Sequence, residues 1–262
     1  MNDFSLIETM RWESRTGIVR LRLHLARLKR SAGRLGFPGA EKAAEKLADV
    51  LGESLPPSAL SGISPSRGEI ARDTSPLEVD SGLISSLEEE MSARPTEGGN
   101  PDKTTKDQAP LRIRLTLSPT GEIAITTAPF TPLPDGTVWR VAIATTRLHS
   151  TNTLLRHKTT RRAVYEMART EYPATEADEV LLLNEKGEPC EGTITSIFLD
   201  DGSGILKTPP IAYGLLAGVL RTELICARRA RVQRLTLKDL QNGTLYMGNS
   251  LRGLIRAELI SA

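Results

Sequence analysis

The chain has 262 residues, 39% hydrophobic and 25% charged, which suits one large or two smaller domains. Aromatic residues make up only 4%, so any core is aliphatic; 34 basic against 32 acidic residues leave a formal charge of +2, a near balance that calls for neither nucleic acid nor an anionic membrane. No apolar run approaches the roughly 20 residues of a membrane span, the N-terminus carries no signal-peptide pattern, and Cys190 and Cys226 have no metal or redox spacing; the expectation is a cytoplasmic protein without metal or disulfide.

In chain order, residues 4–12 read as a strand from their bulky apolar content, and Glu13-Ser-Arg-Thr-Gly17 reads as a turn. Leu21, Leu25, Leu28 and Leu35 recur at helical spacing, with Arg22, Arg27, Lys29, Arg30 and Arg34 on the other faces. A second helix is expected from Pro38 to Leu51, with Ala43, Ala44, Leu47, Val50 and Leu51 inward. Residues 52–110 then lose all aromatics and fill with Pro, Gly and Ser, which predicts a mobile insertion with at most a weak helix near Ser85–Met91. Period-two alternation over Leu111–Leu117, a turn through Pro119 and Gly121, and Ile123–Thr127 predict a hairpin with one buried face. Pro129, Pro132 and Pro134 form a stiff connector into a strand at Val138–Ala144. Two domains are expected, residues 1–134 and 135–262.

The next stretch, Asn152-Thr-Leu-Leu-Arg-His-Lys158-Thr-Thr-Arg-Arg-Ala163, sets a lysine at the mouth of a helix, with Thr159 or Thr160 as its cap and Ala163, Val164, Met167 and Ala168 as one buried face. A lysine desolvated at such a junction becomes a nucleophile toward carbonyls. Alone, the same residues fit a basic helix start on a solvated surface better. Further on come a strand and turn delivering Glu188-Pro-Cys-Glu191-Gly-Thr-Ile-Thr195-Ser196, then a helix opened by Leu215-Leu-Ala-Gly218-Val219-Leu220-Arg221, and finally the strand-to-loop segment Asn249-Ser250-Leu-Arg252-Gly.

Together with His24-Leu-Ala-Arg27-Leu28, these motifs resemble, in order, those of the class IV aminotransferase family, the pyridoxal-phosphate enzymes of fold type IV; the likeness covers roughly residues 3–51 and 111–256. The resemblance implies a two-domain α/β (α+β) fold like that of D-amino-acid aminotransferase, with a smaller N-terminal domain and a larger C-terminal one. It implies pyridoxal 5'-phosphate as cofactor and Lys158 as the catalytic lysine that carries it. Arg27 is implied as a phosphate ligand, since a planar fork holds phosphate at two points, and Glu191 as partner of the ring nitrogen. Thr195, Ser196, Gly218, Val219 and Leu220 are implied around the phosphate, where Ser196 replaces the family's usual asparagine and Leu220 a frequent threonine, leaving that contact to the helix-terminal backbone.

In detail, Ile7-Glu-Thr-Met-Arg11-Trp, His157-Lys-Thr-Thr-Arg-Arg and Asn249-Ser-Leu-Arg-Gly are most similar to 4-amino-4-deoxychorismate lyases. The substrate implied is a small amino compound bearing carboxylates, contacted by Arg252, Ser250 and Arg11. An amino-acid aminotransferase on the same scaffold and a non-catalytic binding relative are the alternatives. The family also implies a homodimer and, for a lyase, aminodeoxychorismate synthase as functional partner; a nucleic-acid role is not expected, because Arg161–Arg162 and Arg228–Arg231 lack interleaved aromatics.

Overall fold

The computed structural model describes residues 3–52 and 108–260. The expected insertion, with its helix near Ser85–Met91, lies outside the described residues except at its two edges.

The fold is mixed α/β with two sheets. The smaller sheet has the order β2-β1-β3-β4, built from β1 (Leu6–Glu13), β2 (Gly17–Ile18), β3 (Leu111–Leu117) and β4 (Ile123–Pro129), antiparallel throughout. Helix α1 (Leu21–Leu35) covers one face, burying Leu21, Leu25, Leu28 and Ala32 against Leu6, Met10, Trp12, Ile113, Leu115 and Leu117. Arg27 and His24, off the leucine stripe, are buried as well and line a cavity described below. The helix ends at Gly36, which is left-handed and donates to Ala32 O. A 3-10 turn (Ala40–Lys42) leads into α2 (Ala43–Leu51), where Ala43, Ala44 and Leu47 are buried but Val50, expected inside, is 49% exposed.

The larger sheet runs β10-β9-β8-β11-β12-β5-β6-β7. Its strands are β5 (Val138–Leu148), β6 (Glu179–Asn184), β7 (Pro189–Gly192), β8 (Ser196–Asp200), β9 (Leu206–Thr208), β10 (Ala230–Val232), β11 (Thr244–Asn249) and β12 (Gly253–Leu259). A further pairing of β7 with β8, at Glu191 and Ser196, closes the strands from β8 round to β7 into a ring. Strand β6 is buried at every position, as a strand covered on both faces must be. Helices α3 (Ala163–Thr170), α4 (Val219–Cys226) and α5 (Leu237–Asn242) pack outside it; α5 starts with a capping box between Thr236 and Asp239.

Two local expectations fail around the lysine. Thr159 and Thr160 do not cap α3: its N-cap is Arg162, without a side-chain cap bond, and Thr159 instead forms a β-bridge to Leu6. The buried face of α3 is also different. Ala168 is buried and Val164 and Tyr165 pack on the core, whereas Ala163 is exposed and Met167 is 60% exposed. Tyr165, on the inner side instead, reaches Glu191 with its hydroxyl.

Candidate active site

The lysine segment is fastened to the start of the chain. Ile7 N–H donates to Lys158 O (2.8 Å), and Thr160 N–H donates to Ser5 O (2.9 Å) while its hydroxyl accepts from Ser5 N–H (2.9 Å). His157 Nδ1 meets Ser31 Oγ of α1 at 2.9 Å. Lys158 thus projects into a cavity of about 410 Å³ that opens where the two sheets meet and the ring of strands closes. Burial, reinforced by the Arg27 and Arg162 charges, lowers the amine pKa to about 8.

Glu191 lines the same cavity and is 5% exposed. Tyr165 O–H donates to its Oε1 (2.7 Å) and Leu216 N–H to its Oε2 (3.2 Å). Burial nevertheless wins, raising the carboxyl to about 7 against those two hydrogen bonds and the pull of Lys158. A carboxyl and an amine, each pushed toward neutrality by burial within one cavity, mark a functional-site candidate.

An anion cradle adjoins them. Gly218 caps α4, and the N–H groups of Val219 and Leu220 have no acceptor within the helix. A Cβ on Gly218 would lie 2.6 Å from Ser196 Oγ, so only glycine leaves that hydroxyl in place. The Leu220 side chain packs into the apolar cluster with Phe198, Leu224 and Ala230, which leaves its backbone as the polar contribution. Thr195 also lines the cavity, but its hydroxyl donates to Glu179 Oε2 (2.8 Å). Glu179 is fully enclosed and gathers five donors, from the hydroxyls of Thr193 and Thr195 and the N–H groups of Val180, Thr193 and Ile194, and so shapes the loop below the cradle.

Across the cavity, Arg27 grips Glu8 with Nε to Oε1 (2.9 Å) and Nη2 to Oε2 (2.5 Å). Burial alone would raise Glu8, but Arg27 and His24 outweigh it and hold the carboxyl at about 2. Ser250 lines the wall beside Arg27, and Arg252 stands at the mouth with its guanidinium 6.0 Å from the Trp139 ring centre. Arg112 and Arg114 of β3 complete that mouth, with no ion-pair partner among the described residues.

Of the residues singled out in the sequence, the fold brings Arg27, Lys158, Glu191, Thr195, Ser196, Gly218, Val219, Leu220, Ser250 and Arg252 around one cavity. Arg11 is not among its lining residues; it lies further along β1 and pairs with Glu13 (2.9 Å). Sequence reasoning missed Glu8, Tyr165, Glu179, Arg112 and Arg114. One signal was there to be read. In β1, Glu8 interrupts the alternate apolar positions Leu6, Met10 and Trp12, and a carboxylate on a buried face demands partners.

The residues present fit pyridoxal phosphate: an amine-bearing lysine, a buried carboxylate and a glycine-capped anion cradle converge on one enclosed space. Comparisons agree with that fit. The family model "Amino-transferase class IV" matches residues 5–260. A solved Mesorhizobium loti protein, provisionally named an amino-acid aminotransferase, is 41% identical with a TM-score of 0.74, over 98% of this chain and 100% of that one. The fold is shared by 4-amino-4-deoxychorismate lyase from Pseudomonas aeruginosa (18% identity, TM-score 0.64, 97% and 82% covered). It is shared as well by the branched-chain aminotransferase of Thermoproteus uzoniensis (20%, TM-score 0.64, 98% and 78% covered). No curated protein matches the chain. A family match spanning nearly the whole chain, on a fold with a lysine, a carboxylate and an anion cradle in one cavity, establishes that the chain belongs to the class IV aminotransferase family of pyridoxal-phosphate-dependent enzymes.

Proposed function

We propose that this enzyme is a 4-amino-4-deoxychorismate lyase, releasing 4-aminobenzoate and pyruvate. The observation that carries this reading is the cationic mouth formed by Arg112, Arg114 and Arg252, which suits a substrate with two carboxylates better than an aliphatic amino acid with one. Bound pyridoxal phosphate supplies the electron sink for the carbon that carries the substrate amine. In this reading Arg27, Ser196 and the backbone of Gly218, Val219 and Leu220 hold its phosphate, and Glu191 holds its ring nitrogen. With a pKa near 8, the Lys158 amine is partly unprotonated near neutral pH and accepts the proton from that carbon. The neighbouring C–O bond then breaks, the ring becomes aromatic, and the proton ends on pyruvate.

The second reading is amino-acid aminotransfer, favoured by the 41% identity to the Mesorhizobium loti protein of that name. The two separate in one assay. Aminodeoxychorismate with added cofactor should yield 4-aminobenzoate fluorescence and pyruvate; accumulation of pyridoxamine phosphate from amino acids, without 4-aminobenzoate, refutes the lyase reading. The same proposal includes a homodimer, for which the exposed Met167 and Ile194 offer apolar contact surface, a cytoplasmic site of action, division into residues 1–134 and 135–262, and a synthase that supplies the substrate.

Arg112→Ala with Arg114→Ala should raise KM for aminodeoxychorismate about 10- to 100-fold with a smaller change in kcat, because charge-assisted bonds at the mouth act on bound substrate throughout. Gly218→Ala should weaken pyridoxal-phosphate binding about tenfold, read by fluorescence titration, since its methyl displaces Ser196 Oγ from the cradle.

A further inference from the structure

Four buried side chains form one line from the Arg27 wall to the 249–252 turn. His24 Nδ1 meets Glu8 Oε2 at 2.6 Å and His24 Nε2 meets Ser250 Oγ at 2.7 Å, while the same Glu8 carboxylate holds Arg27. The proton positions follow from chemistry. Glu8 is ionised and accepts only, so Nδ1 carries the hydrogen. Burial keeps His24 neutral, so Nε2 is bare and the Ser250 hydroxyl must donate to it. The first turn of α1 takes hold of Ser250 a second time: Arg20 Nη1 donates to Ser250 O (3.2 Å) while its Nε donates to Glu223 Oε2 of α4 (2.7 Å). Arg20 does so from a left-handed backbone (φ 60°), a conformation that a non-glycine residue keeps only when its surroundings enforce it. Beyond Ser250, the N–H groups of Leu251 and Arg252 both donate to Asn249 Oδ1 (3.1 and 2.9 Å), which makes this a tight turn with Arg252 at its end.

We propose that Glu8 and His24, with Arg20, are positioning residues that lock the Arg252-bearing turn to the arginine wall, so that an anion held at Arg27 and a substrate carboxylate at Arg252 are energetically coupled. The clamp itself rests on geometry; its effect on ligands rests on the cofactor and substrate roles proposed above for Arg27 and Arg252. Without the His24–Ser250 bond, the turn keeps its Asn249 bonds, the pairing of Asn249 with Gly253 and the Arg20 contact.

The test is amide hydrogen exchange at residues 249–252, with and without pyridoxal phosphate, in wild type, Ser250→Ala, His24→Asn and His24→Gln. An asparagine amide ends near the Nδ1 position and reaches Glu8 but not Ser250; a glutamine amide ends near Nε2 and can accept from Ser250. Exchange in the turn should quicken about tenfold in Ser250→Ala and His24→Asn and return toward wild type in His24→Gln, with β5 amides unchanged as the control for folding. Pyridoxal phosphate should slow exchange in the turn of wild type and His24→Gln but not of the other two. Equal exchange in all four proteins, or equal quickening in both His24 variants, overturns the clamp. Clamp behaviour without any effect of bound cofactor on the turn overturns the coupling. A wild type that takes up no cofactor overturns the proposed cofactor roles and the coupling, while exchange in the cofactor-free proteins still decides the clamp.

Discussion

Lys158→Met should lose catalysis by on the order of 10⁴-fold or more, and should leave no protein-bound cofactor absorbance that borohydride can trap. The same substitution should stabilise the cofactor-free protein. The folded amine has a pKa near 8 against 10.5 in the unfolded chain, so below pH 8 folding must leave a charged amine in a poorly solvating place. That penalty is about 2–3 kcal/mol, allowing for water in the cavity, and it fades as pH rises from 8 to 10.5, because there the unfolded chain binds the extra proton. Methionine removes the charge at similar volume. Denaturant melts at pH 7 and pH 10.5 check this: the variant should lead at pH 7, and the two proteins should converge at the higher pH. A variant that is less stable at pH 7 would mean that the lysine stem, not its charge, dominates.

Glu191→Gln is the second large effect, with an expected loss of catalysis on the order of 10²–10³-fold, because a neutral amide cannot hold a protonated ring nitrogen. Its signature without cofactor is again a pH window, but of opposite slope. The folded carboxyl titrates near 7 and the unfolded one near 4.5, so wild-type stability falls by about 3 kcal/mol as pH rises between them. Glutamine abolishes that fall, less about 1 kcal/mol because an amide with one oxygen cannot accept from both Tyr165 and Leu216. The windows for Glu191 and Lys158 do not overlap, so one stability-against-pH curve of each variant separates the two groups. A wild-type curve flat between pH 4.5 and 7 would contradict a buried, proton-holding Glu191.

Much of the fold could be read from pattern. Alternation in Leu111–Leu117 and the apolar run of Glu179–Asn184 give strands because pleat and burial impose their periods on composition. The lysine, the glutamate and the glycine-capped helix were legible as motifs, since each needs particular chemistry at fixed local spacing. What escaped depends on partners far away in sequence. Arg112 and Arg114 look like the wet side of a hairpin, yet that side faces the cavity. Met167 fits a buried stripe by spacing, but it is exposed while Tyr165 faces inward and reaches Glu191. Thr159 looks like a cap until Leu6 pairs with it.

That last pairing also bears on how the enzyme assembles. Ser5 and Thr160 are 155 residues apart, and the bonds between their segments hold Lys158 in register. Closing so long a loop is entropically uphill and pays back only once both sheets stand. The anion cradle, by contrast, is drawn from residues 195–220, neighbours in sequence that can come together early. If the cradle holds phosphate as proposed, cofactor present during refolding should speed the closing step. Contact order alone therefore predicts that docking of the first strand comes last, which refolding followed with and without pyridoxal phosphate would check.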